Sequence, residues 1–226
     1  MVENYYKLNK LIPHYDNFHN RAIRFIELNL PRAGSLADIG CGNGKLLSKI
    51  AEKRSDAILW GVDHDPQTLS FISDNLAGSE KVNFINQDAL EWLQGLKDSS
   101  LQFMVCSWVI HNWPIDVRRS FYQELDRVIA APGHIVFIEK IAHNDKKIHN
   151  QNLYDQIALF FSCLESETEK NLLKDWVLHY IHDEEPELLM TEDEIEQEVF
   201  ARYNFKILAE YREMMDKLVI LERKNP

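Results

Sequence analysis

Four side chains with useful chemistry, Asp38, Asp63, Asp88 and Ser107, each stand just behind a short apolar run. The first of them opens onto three alternating glycines, Gly40, Gly42 and Gly44. A carboxylate is an acceptor-only group, suited to holding hydroxyl or amine donors of a ligand. Glycines in a strand-to-helix turn supply backbone angles that other residues resist and let a ligand approach the chain closely. Imidazole and phenol groups add proton transfer, and His111, with His14 and Tyr15 as alternatives, are the candidates for that work.

These residues need a scaffold that brings them together. The run from Leu36 to Asp38, followed by Leu46, Leu47, Ile50 and Ala51 beyond the glycines, reads as a buried strand turning into a helix. Residues 57–62 are nearly all apolar and end in Asp63, residues 82–86 precede Gln87-Asp88-Ala89, and residues 101–107 carry Phe103-Met-Val-Cys106. Such runs fit parallel strands buried on both faces. Helical spacing recurs after each: Asp65-Pro66 ahead of Leu69, Ile72 and Leu76; residues 90–96 behind Asp88 as N-cap; and residues 116–130, which Pro132-Gly133 turns into a fifth strand at 134–138. Strand and helix alternating through short links imply right-handed crossovers and a doubly wound α/β sheet. Ligands in such sheets bind beyond the carboxyl ends of the strands, where all four polar side chains lie.

The glycine spacing narrows the ligand. A dinucleotide fingerprint would place its third glycine one residue later, and a phosphate loop would need four residues between its glycines and Ser or Thr after Lys45, where Leu46 stands. Asp38-Ile-Gly-Cys-Gly-Asn-Gly44 instead resembles motif I of the class I S-adenosylmethionine-dependent methyltransferases, and the resemblance runs from about Asp38 to Glu139. It implies S-adenosylmethionine as cofactor and a small-molecule methyl acceptor. By the same resemblance, Asp38, Gly40, Cys41, Gly42, Asn43 and Gly44 form the cofactor loop. Asp63, with His64 beside it, takes the ribose, Asp88 and Ala89 take the adenine, and Ser107 and Trp108 lead into an aromatic loop flooring the substrate site. It further implies a seven-stranded, mostly parallel sheet with an antiparallel last strand, closed by a hairpin at residues 205–210 and 218–221.

A second resemblance stands beside the first. Ile12-Pro-His-Tyr-Asp-Asn17, Ile138-Glu-Lys140 and a helical insertion after the fifth strand look like the carboxy-S-adenosylmethionine synthases of tRNA wobble-uridine modification, although those proteins carry Gly-Cys-Ser-Leu-Gly in motif I. That reading calls for an arginine on the cofactor carboxylate, with Arg202 and Arg212 in the right region. A catalytically idle binding protein would keep Asp38 and Asp63 without an acceptor pocket.

Length and composition set the bounds. At 226 residues and 45% hydrophobic content the chain builds one substantial core. It is read as a single domain: a helical N-terminal cap at 1–34, where Tyr5, Tyr6, His14, Tyr15, Phe18 and His19 cluster, a cofactor core at 35–140, a helical lid at 141–201 and the closing hairpin at 202–226. The lid holds two amphipathic helices and a third that starts at the capping box Thr191-x-x-Glu194, and its aromatic faces should border the pocket or a homodimer seam. A net charge of −11 sets nucleic acid aside as main partner, and no apolar run approaches the roughly 20 residues that span a bilayer. The start shows no signal-peptide core, and the cysteines, Cys41, Cys106 and Cys163, suit a reducing cytoplasm. Cys41 is read as a small buried residue, not a nucleophile. His179, His182, Asp183, Glu184 and Glu185 are read as a solvated turn before Pro186, and no metal is expected.

Overall fold

The computed structural model describes residues 12, 14–67, 82–162 and 167–225. The helix expected after Asp65-Pro66, with Tyr5, Tyr6, Cys163 and Leu164, lies largely or wholly outside them. Asp65 does act as the expected cap, its Oδ1 accepting the Gln67 N–H at 2.9 Å.

Seven strands form one sheet: β1 (Ser35–Ile39), β2 (Ile58–Asp63), β3 (Val82–Asn86), β4 (Leu101–Ser107), β5 (Ile129–Lys140), β6 (Phe205–Glu213) and β7 (Asp216–Arg223). Their spatial order is β3-β2-β1-β4-β5-β7-β6. The first five are parallel, and β7 runs antiparallel between β5 and β6. The order reverses between β1 and β4, so the switch point falls where Asp38 and Ser107 end their strands. The fold class read from the sequence is therefore the observed one.

The strand β5 begins five residues earlier than the pattern suggested. Pro132-Gly133 is not a turn into the strand but lies within it, and the register slips between Leu101, opposite Ile129, and Phe103, opposite His134. Proline lacks an N–H, so it tolerates only such an irregular stretch of the ladder.

Helices cover both faces because the central strands β1, β4 and β5 are apolar on both. On one side lie α1 (Tyr15–Asn29) and α2 (Lys45–Lys53), which bury Phe18, Ala22 and Ile26, and Leu46, Leu47 and Ile50. On the other lie α3 (Ala89–Gln94) and α4 (Ile115–Val128), with Trp92, Leu93, Phe121 and Leu125 in a second cluster. The insertion adds α5 (Lys146–Ser162), α6 (Glu167–His182) and α7 (Glu192–Ile195), with a π-helical turn at Glu196–Phe200. Phe160, Trp176 and Tyr180 join the same cluster as Phe18, Trp108 and Met215. The Lys140 ammonium, at the carboxyl tip of β5, donates to the Tyr180 carbonyl at 2.8 Å, and Asn152 donates to the Met214 carbonyl at 3.2 Å. The insertion thus sits over the carboxyl ends of the strands.

Thr191 caps α7 by accepting the Glu194 N–H at 3.1 Å. The Glu194 carboxylate does not reach back to complete the box; it pairs with the fully buried Arg118 of α4 at 2.7 and 2.5 Å and accepts the Tyr122 hydroxyl at 3.0 Å.

Candidate cofactor cleft and lid cluster

The turn after β1 is shaped by backbone first. Gly40, Gly42 and Gly44 all have positive φ, and the Gly40 and Cys41 amides both donate to the Val62 carbonyl, at 2.8 and 3.1 Å. Gly44 stands as N-cap of α2 in the left-handed region. Glycine at position 40 answers to a neighbour in the protein: a Cβ there would meet Val109 Cγ2 at 2.2 Å.

Beyond the turn opens a cleft of about 60 Å3, lined by Tyr15, His19, Asp38, Gly40, Cys41, Gly42, Asn43, Lys45, Leu46, Ser107 and Trp108. One wall of the cleft is aromatic. That wall is Tyr15 stacked on Trp108, ring centres 5.0 Å apart and 14° from parallel. Trp108 is held from behind, its indole N–H donating to Asp216 Oδ1 at 2.8 Å, and its φ of 54° is unusual for a bulky residue.

Asp38 is the electrostatic focus. It is 2% exposed, its carboxylate has no hydrogen-bond partner among the described residues, and burial, reinforced by Asp63, pushes its pKa up to about 8. A buried carboxylate without a cation is costly to ionise. A ligand ammonium would supply the missing partner, and this is the structural fit to S-adenosylmethionine, whose amino-acid end carries one. Burial likewise drives the Cys41 thiol far above its ordinary pKa, with Asp38 and Asp63 adding to the shift, so it is a small buried residue as read and no nucleophile. His19 shares a hydrogen bond with Ser107 Oγ at 2.8 Å, and burial, with Lys49 and Lys45 nearby, lowers its pKa to about 3, which keeps it neutral.

The expected site residues divide. The cleft gathers Tyr15, Asp38, Gly40, Cys41, Gly42, Asn43, Ser107 and Trp108. Asp63 lies beneath the loop and is not free as expected: Oδ2 accepts the Gly42 N–H and Oδ1 the Asp65 N–H, both at 3.0 Å. Each oxygen retains further lone-pair capacity for a hydroxyl. Asp88 is exposed and caps α3 through Oδ1, which takes the Leu90 and Glu91 amides, while Ala89 is buried behind it. His64 points to solvent. His14, in the left-handed region, sits outside the cleft with Nε2 3.5 Å from Glu213. His111 also stands away from the cleft. Arg212 is engaged with Glu192 and the Ile141 and Met214 carbonyls, and Arg202 pairs with Glu198, so neither reaches the cleft.

Three lining residues were missed as site residues: His19, Lys45 and Leu46. His19 lies four residues after Tyr15, so the two share a face of α1, and that spacing was the available signal. Lys45 Nζ lies 5.4 Å from the Tyr15 ring centre and 3.8 Å from Asp16.

A second pocket, too tight to hold a water molecule, lies under the helical insertion, lined by His111, Lys140, Ala142, Asp183, Leu188, Leu189 and Met190. Glu139, fully buried, accepts the Val109 and Ile110 amides and holds His111 Nδ1 at 2.6 Å, which orients the turn after β4. The turn at 179–185 is not the solvated one expected: Asp183 is buried, and Glu184 reaches Lys140 at 2.8 Å and His149 at 2.6 Å. Asp183 and Glu184 face inward toward Lys140 at the β5 tip, while His182 and Glu185 stay exposed.

Comparison with known proteins agrees with this geometry. Residues 36–133 match the family model described as a methyltransferase domain. A carboxy-S-adenosyl-L-methionine synthase of Campylobacter concisus is 23% identical over 188 residues, 81% of this chain and 79% of that protein. Among solved structures, a SAM-dependent methyltransferase from Aquifex aeolicus superposes with a TM-score of 0.59 at 13% identity, covering 96% of both chains. Geranyl diphosphate C-methyltransferase from Streptomyces coelicolor superposes with a TM-score of 0.62 at 13% identity, over 95% of this chain and 84% of that one. The sheet order and the glycine loop are those of the Rossmann-like fold that these solved methyltransferases share. The chain is thus similar to S-adenosylmethionine-dependent methyltransferases over residues 36–133 and in its fold, a likeness that points to S-adenosylmethionine as cofactor. No described helix is long and apolar enough to cross a membrane.

Proposed function

We propose that this protein transfers the methyl group of S-adenosylmethionine to a small-molecule acceptor by in-line displacement. The observation that carries the reading is Asp38, a buried carboxylate facing the cleft with no partner among the described residues. In this reading Asp38 accepts the cofactor ammonium, the loop from Gly40 to Gly44 follows its amino-acid end, and Asp63 and Asp88 take ribose and adenine with their remaining lone pairs. Tyr15 and Trp108 present ring faces to the sulfonium, a cation that aromatic faces stabilise. The methyl is already electrophilic, so the protein's task is to bring the acceptor to about 3 Å in line and to exclude water. The base role expected of His111 is not retained, since its ring lies off the cleft, and His19, with a pKa near 3, is a poor base.

The second reading, a carboxy-S-adenosylmethionine synthase, draws on similarity that spans most of the chain. A carboxylated cofactor demands a cation at its carboxylate. Among the described residues the cation lining the cleft is Lys45, which already stands near Asp16. This favours methyl transfer. Mass spectrometry of ligand released from protein purified without additions is expected to find S-adenosylmethionine or S-adenosylhomocysteine. A species one carboxyl group heavier than S-adenosylmethionine overturns the assignment in favour of the synthase. Incubation with labelled S-adenosylmethionine and a panel of small nucleophiles then identifies the acceptor.

A further inference from the structure

We propose that His111, His179 and Asp183 form a binding site for one divalent transition-metal ion of the zinc type, joining the lid to the core. One ligating atom from each side chain falls within 4.8 Å of the others. The three come from two separate parts of the fold: His111 from the turn after β4, and His179 and Asp183 from the carboxyl end of α6, one helical turn apart.

Three further features point to a cation there. Asp183 is 3% exposed and lines the cavity, yet its Oδ1 has no hydrogen-bond partner, the nearest imidazole nitrogen being His179 Nδ1 at 3.7 Å. His111 Nδ1 is taken by Glu139 Oε2 at 2.6 Å. A carboxylate accepts, so the proton sits on Nδ1, and the Nε2 lone pair is left to ligate. An imidazole oriented from behind by a carboxylate is the usual outer arrangement of a metal-bound histidine. The charge balance agrees. Asp183 and Glu184 share one ammonium, Lys140, which lies 3.5 Å from Asp183 Oδ2 and 2.8 Å from Glu184 Oε1. These carboxylates outnumber the ammonium they share, and a divalent ion would offset the excess. Lys140 approaches Asp183 through Oδ2, so Oδ1 remains for the ion.

Two imidazoles and one carboxylate suit zinc and its neighbours in the first transition row, and three protein ligands leave a coordination position open. Zinc–nitrogen bonds of 2.0–2.1 Å place ligand atoms about 3.4 Å apart in a tetrahedron. Separations within 4.8 Å must therefore close by at most about 1.4 Å, a side-chain-scale movement. The inference does not depend on which reaction the cofactor cleft performs.

The test uses the tag-free full chain, stripped with chelator and dialysed. It is expected to take up one Co2+ per chain with the visible absorption of a low-coordinate nitrogen–oxygen site, and Zn2+ should displace it. His179→Ala and Asp183→Ala should each weaken uptake at least tenfold. His182→Ala, whose side chain is 58% exposed on the same helix end, should bind as the wild type does. Circular dichroism and S-adenosylmethionine calorimetry on each variant report fold and cofactor cleft separately. His179→Ala carries the test if Asp183→Ala misfolds. Absence of Co2+ and Zn2+ uptake by folded wild-type protein overturns the site, as does undiminished binding by His179→Ala; either result leaves the cofactor assignment standing.

Discussion

The glycine loop and the base of the lid are both essential to one side of the sheet, yet they are built on opposite principles. The loop is made of neighbours in sequence, and its shape is a property of backbone angles at Gly40, Gly42 and Gly44, tied down by two amides on the Val62 carbonyl. The lid base is made of side chains far apart in sequence. Arg118 meets Glu194, Lys140 meets Asp183 and Glu184, and Arg212 meets Glu192, all partly or wholly out of water. A turn tolerates the loss of a side chain but not the gain of one. A buried ion pair behaves the other way, because removing one member strands the other without solvent.

The largest effect is expected at the lid base. Arg118→Ala leaves the Glu194 carboxylate buried without its cation and should cost about 3–5 kcal/mol in urea unfolding. Replacing both partners with apolar residues, Arg118→Met with Glu194→Leu, should restore most of it. If the single and double variants unfold alike, the pair is not what anchors the lid.

Gly40→Ala comes next. Left-handed backbone at φ 65° and contact with Val109 together should cost about 2–4 kcal/mol, with S-adenosylmethionine affinity falling in parallel. Adding Val109→Ala should recover the part due to contact and leave the part due to the backbone, which thermal melts of the two variants would separate.

A third effect falls on binding. Asp63→Ala should weaken S-adenosylmethionine by well over tenfold, since two hydrogen bonds to a charged acceptor are worth roughly 1.5–3 kcal/mol each. It also releases the Gly42 amide from Oδ2, so some loss of loop order is expected with it. Unchanged calorimetric affinity in folded protein would remove Asp63 from the ribose assignment.

The smallest effect per step is a pH dependence. The Asp38 pKa rises from an ordinary 3.8 to about 8 in the folded state, chiefly by burial. Between those values the folded protein keeps a proton that the unfolded chain has released. Stability of the ligand-free protein should therefore fall as pH rises from about 4 to 8, by up to about 1.4 kcal/mol per unit from this group. Asp38→Asn should flatten that slope while weakening the cofactor. Identical slopes in the two proteins would show that Asp38 is not held protonated.

Much of the core was legible because it is written in local patterns. Apolar runs located β3 and β4 to the residue, and Asp65, Asp88 and Thr191 each cap as their types suggest. Missed features share a cause. His19 entered the cleft because α1 lies across β4 and sets its ring on Ser107, and nothing within α1 announces that partner. Glu194 looked like half of a capping box, but a buried guanidinium 76 residues away outbid the local amide. His111 was placed at the cleft because it follows Trp108 closely, whereas Glu139 turns its ring under the lid.

By itself the sequence determined the strand-helix alternation, the glycine turn and the chemistry at the strand tips, because periodicity and backbone preference act over a few residues. Tertiary structure alone decided which carboxylates would be stranded from water. Asp38 became a weakly acidic group facing the cleft, and Asp183 turned from an apparent surface charge into a buried carboxylate beside His111 and His179. Burial and charge pairing depend on what other elements bring within a few ångströms, and no window of sequence contains that information.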